Sequence, residues 1–151
     1  MSLFEKPRQR GTAPTARHCD IGPMFENLLA PDAAILIVED EPFIAASIEL
    51  FLNELGAKDV HIARNTDLAF AFLEKRRPSL ALVDWQLREE TSATLVSRLR
   101  ELSIGVILVT GYSENEHVEQ DWQGLVVLEK PFGEEALRDA ILRARPGGEP
   151  T

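Results

Sequence analysis

The chain has 151 residues, of which 44% are hydrophobic and 27% are charged, and this balance is typical of one globular domain of ordinary size. A formal net charge of −9 argues against nonspecific binding to nucleic acid or to a membrane surface, and no apolar run is long enough to span a membrane. The single cysteine excludes an internal disulfide and favours a reducing cytoplasm as the location.

The first 33 residues differ in composition from the rest of the chain. They contain four prolines and two glycines, together with an early cluster of basic residues. Such a segment lacks the regular apolar spacing of a helix or strand. We therefore predict a flexible N-terminal arm over residues 1–33, a folded domain over 34–145 and a loose tail over 146–151.

Five short, mainly apolar runs predict the strands of a buried sheet. In chain order they are AILIV (34–38), DVHIA (59–63), LALVD (80–84), VILVT (106–110) and LVVLE (125–129). Continuous apolar runs indicate strands that are buried on both faces, as in a parallel sheet between two layers of helices.

Apolar residues at helical spacing occupy the segments between these runs. The first helix is predicted to begin at Pro42 and to end at Gly56. Apolar positions of the four clear helices are Ile44, Ile48, Phe51, Leu52 and Leu55; Leu68, Phe72 and Leu73; Leu95, Leu99 and Leu102; and Leu137, Ala140, Ile141 and Ala144. Residues 113–122 are polar and predict only a weak helix. This alternation predicts an α/β fold with a doubly wound, five-stranded parallel sheet.

Acidic, hydroxyl and cationic residues follow or end the predicted strands. They are Glu39 and Asp40 after the first strand, Asp84 on the third, Thr110 on the fourth and Lys130 after the fifth. Carboxyl ends of parallel strands share one edge of a sheet, so we expect these side chains to converge. Clustered carboxylates suit a hard divalent cation such as Mg²⁺. A carboxylate beside such a cation can attack phosphorus, and an ammonium and a hydroxyl can stabilise the transferred group.

The segments ILIVEDEP, ALVDW, VILVTGY and LEKPF together resemble the receiver domain of two-component response regulators. The resemblance extends over roughly Ala34 to Arg145. It implies the (βα)5 flavodoxin-like receiver fold, with strand order 2-1-3-4-5.

The resemblance also implies roles for individual residues at the shared edge. Asp84 corresponds to the phosphoacceptor. Glu39 and Asp40 correspond to the acidic pair that binds Mg²⁺ together with Asp84, with Asp40 the more direct ligand. The backbone carbonyl of Gln86 corresponds to a further ligand of the metal.

Two more receiver positions are matched in the second half of the chain. Thr110 corresponds to the switch hydroxyl, and Lys130 corresponds to the lysine that pairs with the phosphoryl group. The resemblance implies a cis bond between Lys130 and Pro131, a form that is accessible mainly before proline.

The sequence departs from the common receiver pattern at two places. The segment DWQLREETSA lacks the proline and glycine that usually follow the phosphoacceptor, and Val127 stands where receivers usually carry Tyr or Phe. Tyr112, in the sequence TGY, resembles the Thr-Gly-aromatic loop of the atypical FATGUY receivers of alphaproteobacteria, although the Phe and Ala of that signature are missing. We therefore expect Tyr112 and the edge near Val127 to form the switch or interface region; the alternative is that Tyr112 only fills space.

The function implied by this resemblance is signalling rather than ordinary enzyme catalysis. A receiver takes a phosphoryl group from a sensor histidine kinase or a histidine phosphotransfer protein and assists its own Mg²⁺-dependent phosphorylation and dephosphorylation. No DNA-binding domain follows Arg145 in this sequence, so we expect output through contacts with a downstream protein. A stand-alone regulator and a piece of a hybrid kinase are both compatible, as are a monomer and a phosphorylation-dependent dimer.

Two other classes of function fit the residues less well. Phosphatases with an aspartyl nucleophile generally use a second acid just after the nucleophile, but Trp85 and Gln86 follow Asp84 here. A flavodoxin-like cofactor binder would need a phosphate-binding first loop, and the acids at Glu39 and Asp40 would repel a phosphate there.

Overall fold

The computed structural model describes residues 33–87, 90–111 and 124–144. Most of the predicted arm, the whole tail and the weak helix predicted over 113–122 lie outside these residues. The strands are β1 (Ile35–Val38), β2 (Val60–Ala63), β3 (Leu80–Asp84), β4 (Gln86–Leu87), β5 (Glu90–Thr91), β6 (Gly105–Thr110) and β7 (Val126–Glu129). The helices are α1 (Pro42–Glu54), α2 (Thr66–Lys75), α3 (Ala93–Glu101) and α4 (Glu134–Ala144).

The five longer strands form one parallel sheet in the order β2-β1-β3-β6-β7. This arrangement confirms the predicted order 2-1-3-4-5, because β6 and β7 are the fourth and fifth strands of the main sheet. Val38 pairs with Val83, and Asp84 pairs with Val109. The strand ends are therefore level, and the residues that follow them meet at one edge.

Each face of the sheet is covered by a separate hydrophobic cluster. One cluster joins β1, β3, β6 and β7 to α1 and α4, and the other joins the opposite face to α2 and α3. Burial on both faces explains why the strands are almost continuously apolar. Among the described residues, no helix combines the length and the apolar character that crossing a membrane requires.

Local sequence signals mark the beginnings of the first two helices. Pro42 opens α1, where its missing N–H would have no partner within the helix. Asn65 caps α2, and its side chain accepts a hydrogen bond of 2.8 Å from the backbone N–H of Leu68. Leu68, one of the apolar residues that mark this helix in the sequence, is 46% exposed, while Ala69 is fully buried.

A short antiparallel hairpin follows β3 and was not predicted from the sequence. Its strands β4 and β5 pair Gln86 with Thr91 and Leu87 with Glu90. Strands of two residues are too short to produce an alternating apolar pattern. The hairpin occupies the segment in which the usual proline and glycine of receivers are missing.

The end of α4 lies against the beginning of β6, and this contact requires glycine at position 105. A Cβ atom at Gly105 would overlap the carbonyl oxygen of Ala144, which is backbone and cannot rotate away. We expect Gly105→Ala to lower the free energy of unfolding by about 2 kcal/mol or more, because α4 must shift from the sheet.

Urea denaturation of the variant and the unsubstituted protein measures this effect. Gly133→Ala is the matched control, since a Cβ there meets no atom within 4 Å. Its expected loss is at most about 1 kcal/mol, the size of a helix-capping effect. Equal stability of Gly105→Ala and the unsubstituted protein would contradict the close packing.

Candidate functional site

Three acidic side chains converge at the carboxyl edge of the sheet. Glu39 and Asp84 are buried, with 2% and 4% of their surfaces exposed, and Asp40 is half-buried beside them. Each of the three presents a carboxylate oxygen, and these oxygens lie within 4.8 Å of one another. The sequence separates Asp84 from the other two by more than forty positions, so the level strand ends bring the group together.

Lys130 supplies positive charge to this group from the end of β7. Its Nζ lies 3.4 Å from Oδ2 of Asp84 and 3.7 Å from Oε1 of Glu39. The backbone positions the lysine, because its N–H donates to the carbonyl of Thr110 at 2.8 Å. The Lys130–Pro131 peptide bond is cis, as the resemblance implies.

Burial changes the proton affinity of both buried acids. Desolvation, reinforced by the charge of Asp84, raises the pKa of Glu39 from 4.5 to about 8. Desolvation also raises the pKa of Asp84, although Lys130 and the hydrogen bond from Glu39 oppose the shift. In the absence of a cation, this raised pKa favours the protonated, neutral form of Glu39 near pH 7.

Two buried oxygen atoms in the described part of the chain have no hydrogen-bond partner, and both are at this site. They are Oε1 of Glu39 and Oγ1 of Thr110, the fully buried last residue of β6 at the same edge of the sheet. Leaving such an atom without a partner costs roughly 1–3 kcal/mol, which a ligand could recover. The oxygen-rich donor set and the unpartnered carboxylate oxygen fit a hard divalent cation.

The residues after Asp84 are held close to its carboxylate. The backbone N–H of Gln86 donates to Oδ1 of Asp84 at 3.3 Å, while the Gln86 side chain is exposed. Trp85 is buried in the cluster that packs against α2 and α3. The peptide of Gln86 therefore lies beside the acidic group.

The structure describes only one of the two predicted switch residues, Val127. Tyr112 lies outside the described residues. Val127 is half-buried on β7, pairs with Leu108 and packs against the cluster on the α2–α3 face.

Ser92, a fully buried hydroxyl residue near the site, was not predicted from the sequence. Its Oγ donates to the carbonyl of Trp85 at 3.3 Å. Ser92 is not part of a periodic apolar pattern and does not follow a predicted strand. The unusual composition of the segment after Asp84 was the only signal in the sequence that could have pointed to it.

Comparisons with known proteins identify relatives over most of the chain. A family model described as the response regulator receiver domain matches residues 35–142. The phyllosphere-induced regulator PhyR of Methylorubrum extorquens is 34% identical over 109 residues, which cover 69% of this chain and 41% of the relative.

Two solved structures show the same similarity in three dimensions. SdrG from Sphingomonas melonis Fr1 is 32% identical with a TM-score of 0.66, and the match covers 76% of this chain and 98% of SdrG. The receiver domain of the PhyR response regulator of Erythrobacter litoralis is 29% identical with a TM-score of 0.65, over 74% of this chain and 88% of that domain. The chain spans about half the length, or less, of the curated relatives it matches.

Proposed function

We propose that this chain, which belongs to the response regulator receiver domain family, accepts a phosphoryl group on Asp84 from a sensor histidine kinase or a histidine phosphotransfer protein. The observation that carries this proposal is the surroundings of the Asp84 carboxylate. It is buried at the sheet edge, paired with Lys130 at 3.4 Å and grouped with two further acids. A carboxylate that only ended a strand would not need a cation and two more acids around it.

The proposed reaction is a nucleophilic displacement at phosphorus. A lone pair of an Asp84 carboxylate oxygen forms the new P–O bond, while the P–N bond to the donor histidine breaks. The imidazole leaves with the electron pair of that bond and takes up a proton from water. The product is an acyl phosphate on Asp84.

Lys130 and Thr110 are suited to stabilise the transferred group. The ammonium of Lys130 already neutralises the Asp84 carboxylate and can pair with a phosphoryl oxygen once that oxygen is present. Oγ1 of Thr110 is buried without a hydrogen-bond partner, so it can donate to a phosphoryl oxygen. This donation would satisfy an atom that is otherwise left unpaired.

Mg²⁺ is the cation that we propose for the acidic group. The carboxylates of Glu39, Asp40 and Asp84 and the backbone carbonyl of Gln86 would hold it. When bound, the ion supplies positive charge that offsets the charge of the acids and of the phosphoryl oxygens. The unpartnered Oε1 of Glu39 supports this assignment.

We further propose that residues 34–145 form the receiver unit and that the protein acts in the cytoplasm through a downstream protein. Its output surface would include Tyr112 and the edge of the sheet near Val127. Val127 is too small to make the side-chain movement that an aromatic residue could make there, which leaves Tyr112 as the aromatic candidate for the switch.

Lys130→Ala should separate metal binding from the response to phosphorylation. We expect the variant to retain Mg²⁺ binding, because Lys130 is not among the proposed ligands. We also expect it to lose most of the change in amide exchange that beryllofluoride, a phosphoryl mimic, produces in the unsubstituted protein. Lys75→Ala, an exposed lysine on α2, is the control. A full response in Lys130→Ala would contradict the proposed role.

Incubation with acetyl phosphate, with Mg²⁺ or with EDTA, tests the proposed function. Intact-mass measurement should find one added phosphoryl group per chain with Mg²⁺ and none with EDTA. If the protein instead released phosphate continuously from small phosphate esters through many turnovers, the phosphatase alternative would be supported and the receiver function contradicted.

A further inference from the structure

The segment between Asp84 and α3 lacks a proline that would restrict its backbone, so other contacts must hold it in place. It carries Gln86, whose N–H contacts the Asp84 carboxylate and whose carbonyl we propose as a metal ligand. A loop without internal support would let this peptide move relative to the acids. The structure shows two devices that hold it.

The first device is the pattern of burial on either side of Gln86. The side chains of Trp85 and Leu87 are both buried in the cluster that packs against α2 and α3, while the Gln86 side chain is exposed to solvent. The hairpin pairing of Gln86 with Thr91 adds backbone support. Gln86 is therefore fixed between two anchored neighbours.

The second device is a pair of contacts from Ser92 to the carbonyl of Trp85. The backbone N–H of Ser92 donates to this carbonyl at 3.1 Å, and the Ser92 hydroxyl donates to the same oxygen at 3.3 Å. The N–H of Trp85 in turn donates to the carbonyl of Val109 on β6 at 2.9 Å. The peptide that precedes Gln86 is thus held by the main sheet at one side and by Ser92 at the other.

Ser92 precedes α3, but its side chain does not cap that helix. Ser92 is the N-cap residue of α3, and serine is favoured at N-caps because its oxygen accepts a hydrogen bond from the first turn. The Ser92 side chain makes no such bond to α3. Its hydroxyl is directed back to Trp85, so its contribution lies in the loop before the helix.

We propose that Ser92 is a positioning residue that, together with the β4–β5 hairpin, holds the Gln86 peptide in place for the acidic group. This inference rests on the proposed function, because it concerns how the metal and phosphoryl site is assembled. Ser92 touches neither the proposed metal nor the phosphoryl group. It acts through Trp85 and Gln86 in a segment where this chain lacks the residues usual in receivers.

Two variants test the hydroxyl while varying the size of the side chain. Ser92→Ala removes the hydroxyl and makes the side chain smaller. Ser92→Cys keeps a side chain of similar shape, but its thiol is only a weak hydrogen-bond donor. We expect the Mg²⁺ dissociation constant, measured by titration calorimetry, to rise about three- to tenfold in both. We also expect faster amide exchange at Gln86 in the metal-free variants, with the strand amides unchanged.

Ser47→Ala is the matched control. Its Oγ donates to the carbonyl of Phe43 at 2.9 Å on the exposed side of α1, so the substitution removes a similar hydrogen bond away from the loop. We expect unchanged Mg²⁺ affinity and unchanged exchange at Gln86 in this variant.

The outcomes separate a positioning role for Ser92 from a general contribution to stability. Weaker Mg²⁺ binding and faster Gln86 exchange in both Ser92 variants support the proposal, and wild-type values in either variant overturn it. Neither Mg²⁺ affinity nor Gln86 exchange depends on phosphoryl transfer. If the unsubstituted protein failed to accept phosphate, the proposed function would be contradicted, but the role of Ser92 would not. If the unsubstituted protein bound no Mg²⁺, the metal assignment would fail and Gln86 exchange would decide the role of Ser92.

Discussion

Asp84→Asn should abolish phosphoryl uptake from acetyl phosphate or a phosphohistidine donor. An amide oxygen is a much weaker nucleophile than a carboxylate, and its acylated product is not an aspartyl phosphate. No other acid in the described part of the chain is both buried at the sheet edge and within ion-pair distance of Lys130, apart from Glu39, whose carboxylate we propose as a ligand of the metal. We expect a drop in labelling of at least about a hundredfold, measured by intact mass.

A loss of structure would not account for this result. Asp84→Asn removes a buried acid whose pKa is raised by desolvation, so the metal-free variant should be at least as stable as the unsubstituted protein. Asp139→Asn, which changes an exposed acid on α4, is the matched control and should label normally. Labelling of Asp84→Asn at the rate of the control would show that another residue accepts the phosphoryl group.

The metal-free protein should lose stability as the pH rises from about 5 to about 9. Burial raises the pKa of Glu39 from 4.5 to about 8 in the folded protein. The stabilising contribution of a group with a raised pKa is complete below its unfolded pKa, and it is lost as the pH passes through the folded value. With about 1.4 kcal/mol for each pKa unit, the expected loss is on the order of 5 kcal/mol.

Urea denaturation in EDTA at several pH values measures this loss. Glu39→Gln should flatten the profile, because the amide resembles the protonated acid in shape and does not titrate. Adding Mg²⁺ should restore part of the stability at high pH, since a cation favours the charged carboxylates. A metal-free profile that is flat across this range, or that has the same slope in Glu39→Gln, would contradict the buried, protonated state of Glu39.

The arrangement of the main sheet could be predicted because local and global signals agree. The strands are short and mainly apolar, and β1, β3, β6 and β7 each end in a polar residue or are followed by one at the carboxyl edge. Because these strands alternate with helices along the chain, a parallel sheet is the arrangement that buries both faces of the sheet under helices. The convergence of Glu39, Asp84 and Lys130 followed from the topology alone, and the structure brings these side chains within ion-pair distance.

The hairpin and Ser92 could not be predicted because they depend on tertiary contacts. The two residues of each hairpin strand carry no periodic pattern, and their pairing depends on anchoring Trp85 and Leu87 in the core. The sequence indicated only that the usual proline and glycine were missing. The burial of the Ser92 hydroxyl against the Trp85 carbonyl is visible only in the folded chain.

The orientation of α2 shows a limit of reading periodicity. In the sequence, the large apolar residues Leu68, Phe72 and Leu73 mark this helix. In the structure, Ala69 is the residue of α2 that is fully buried, and Leu68 is turned to solvent. Small residues allow a helix to approach the sheet closely, but their low hydrophobicity makes them weak signals in a sequence.

Chemical mapping of the phosphorylated protein addresses the proposed phosphoacceptor itself. Borohydride reduces an aspartyl phosphate to homoserine, which leaves a stable mass difference in the peptide that contains the modified residue. After phosphorylation with Mg²⁺, the proposal predicts homoserine at position 84 and at no other acid. Homoserine at another position, or labelling that resists borohydride because it is not an acyl phosphate, would contradict the assignment of Asp84.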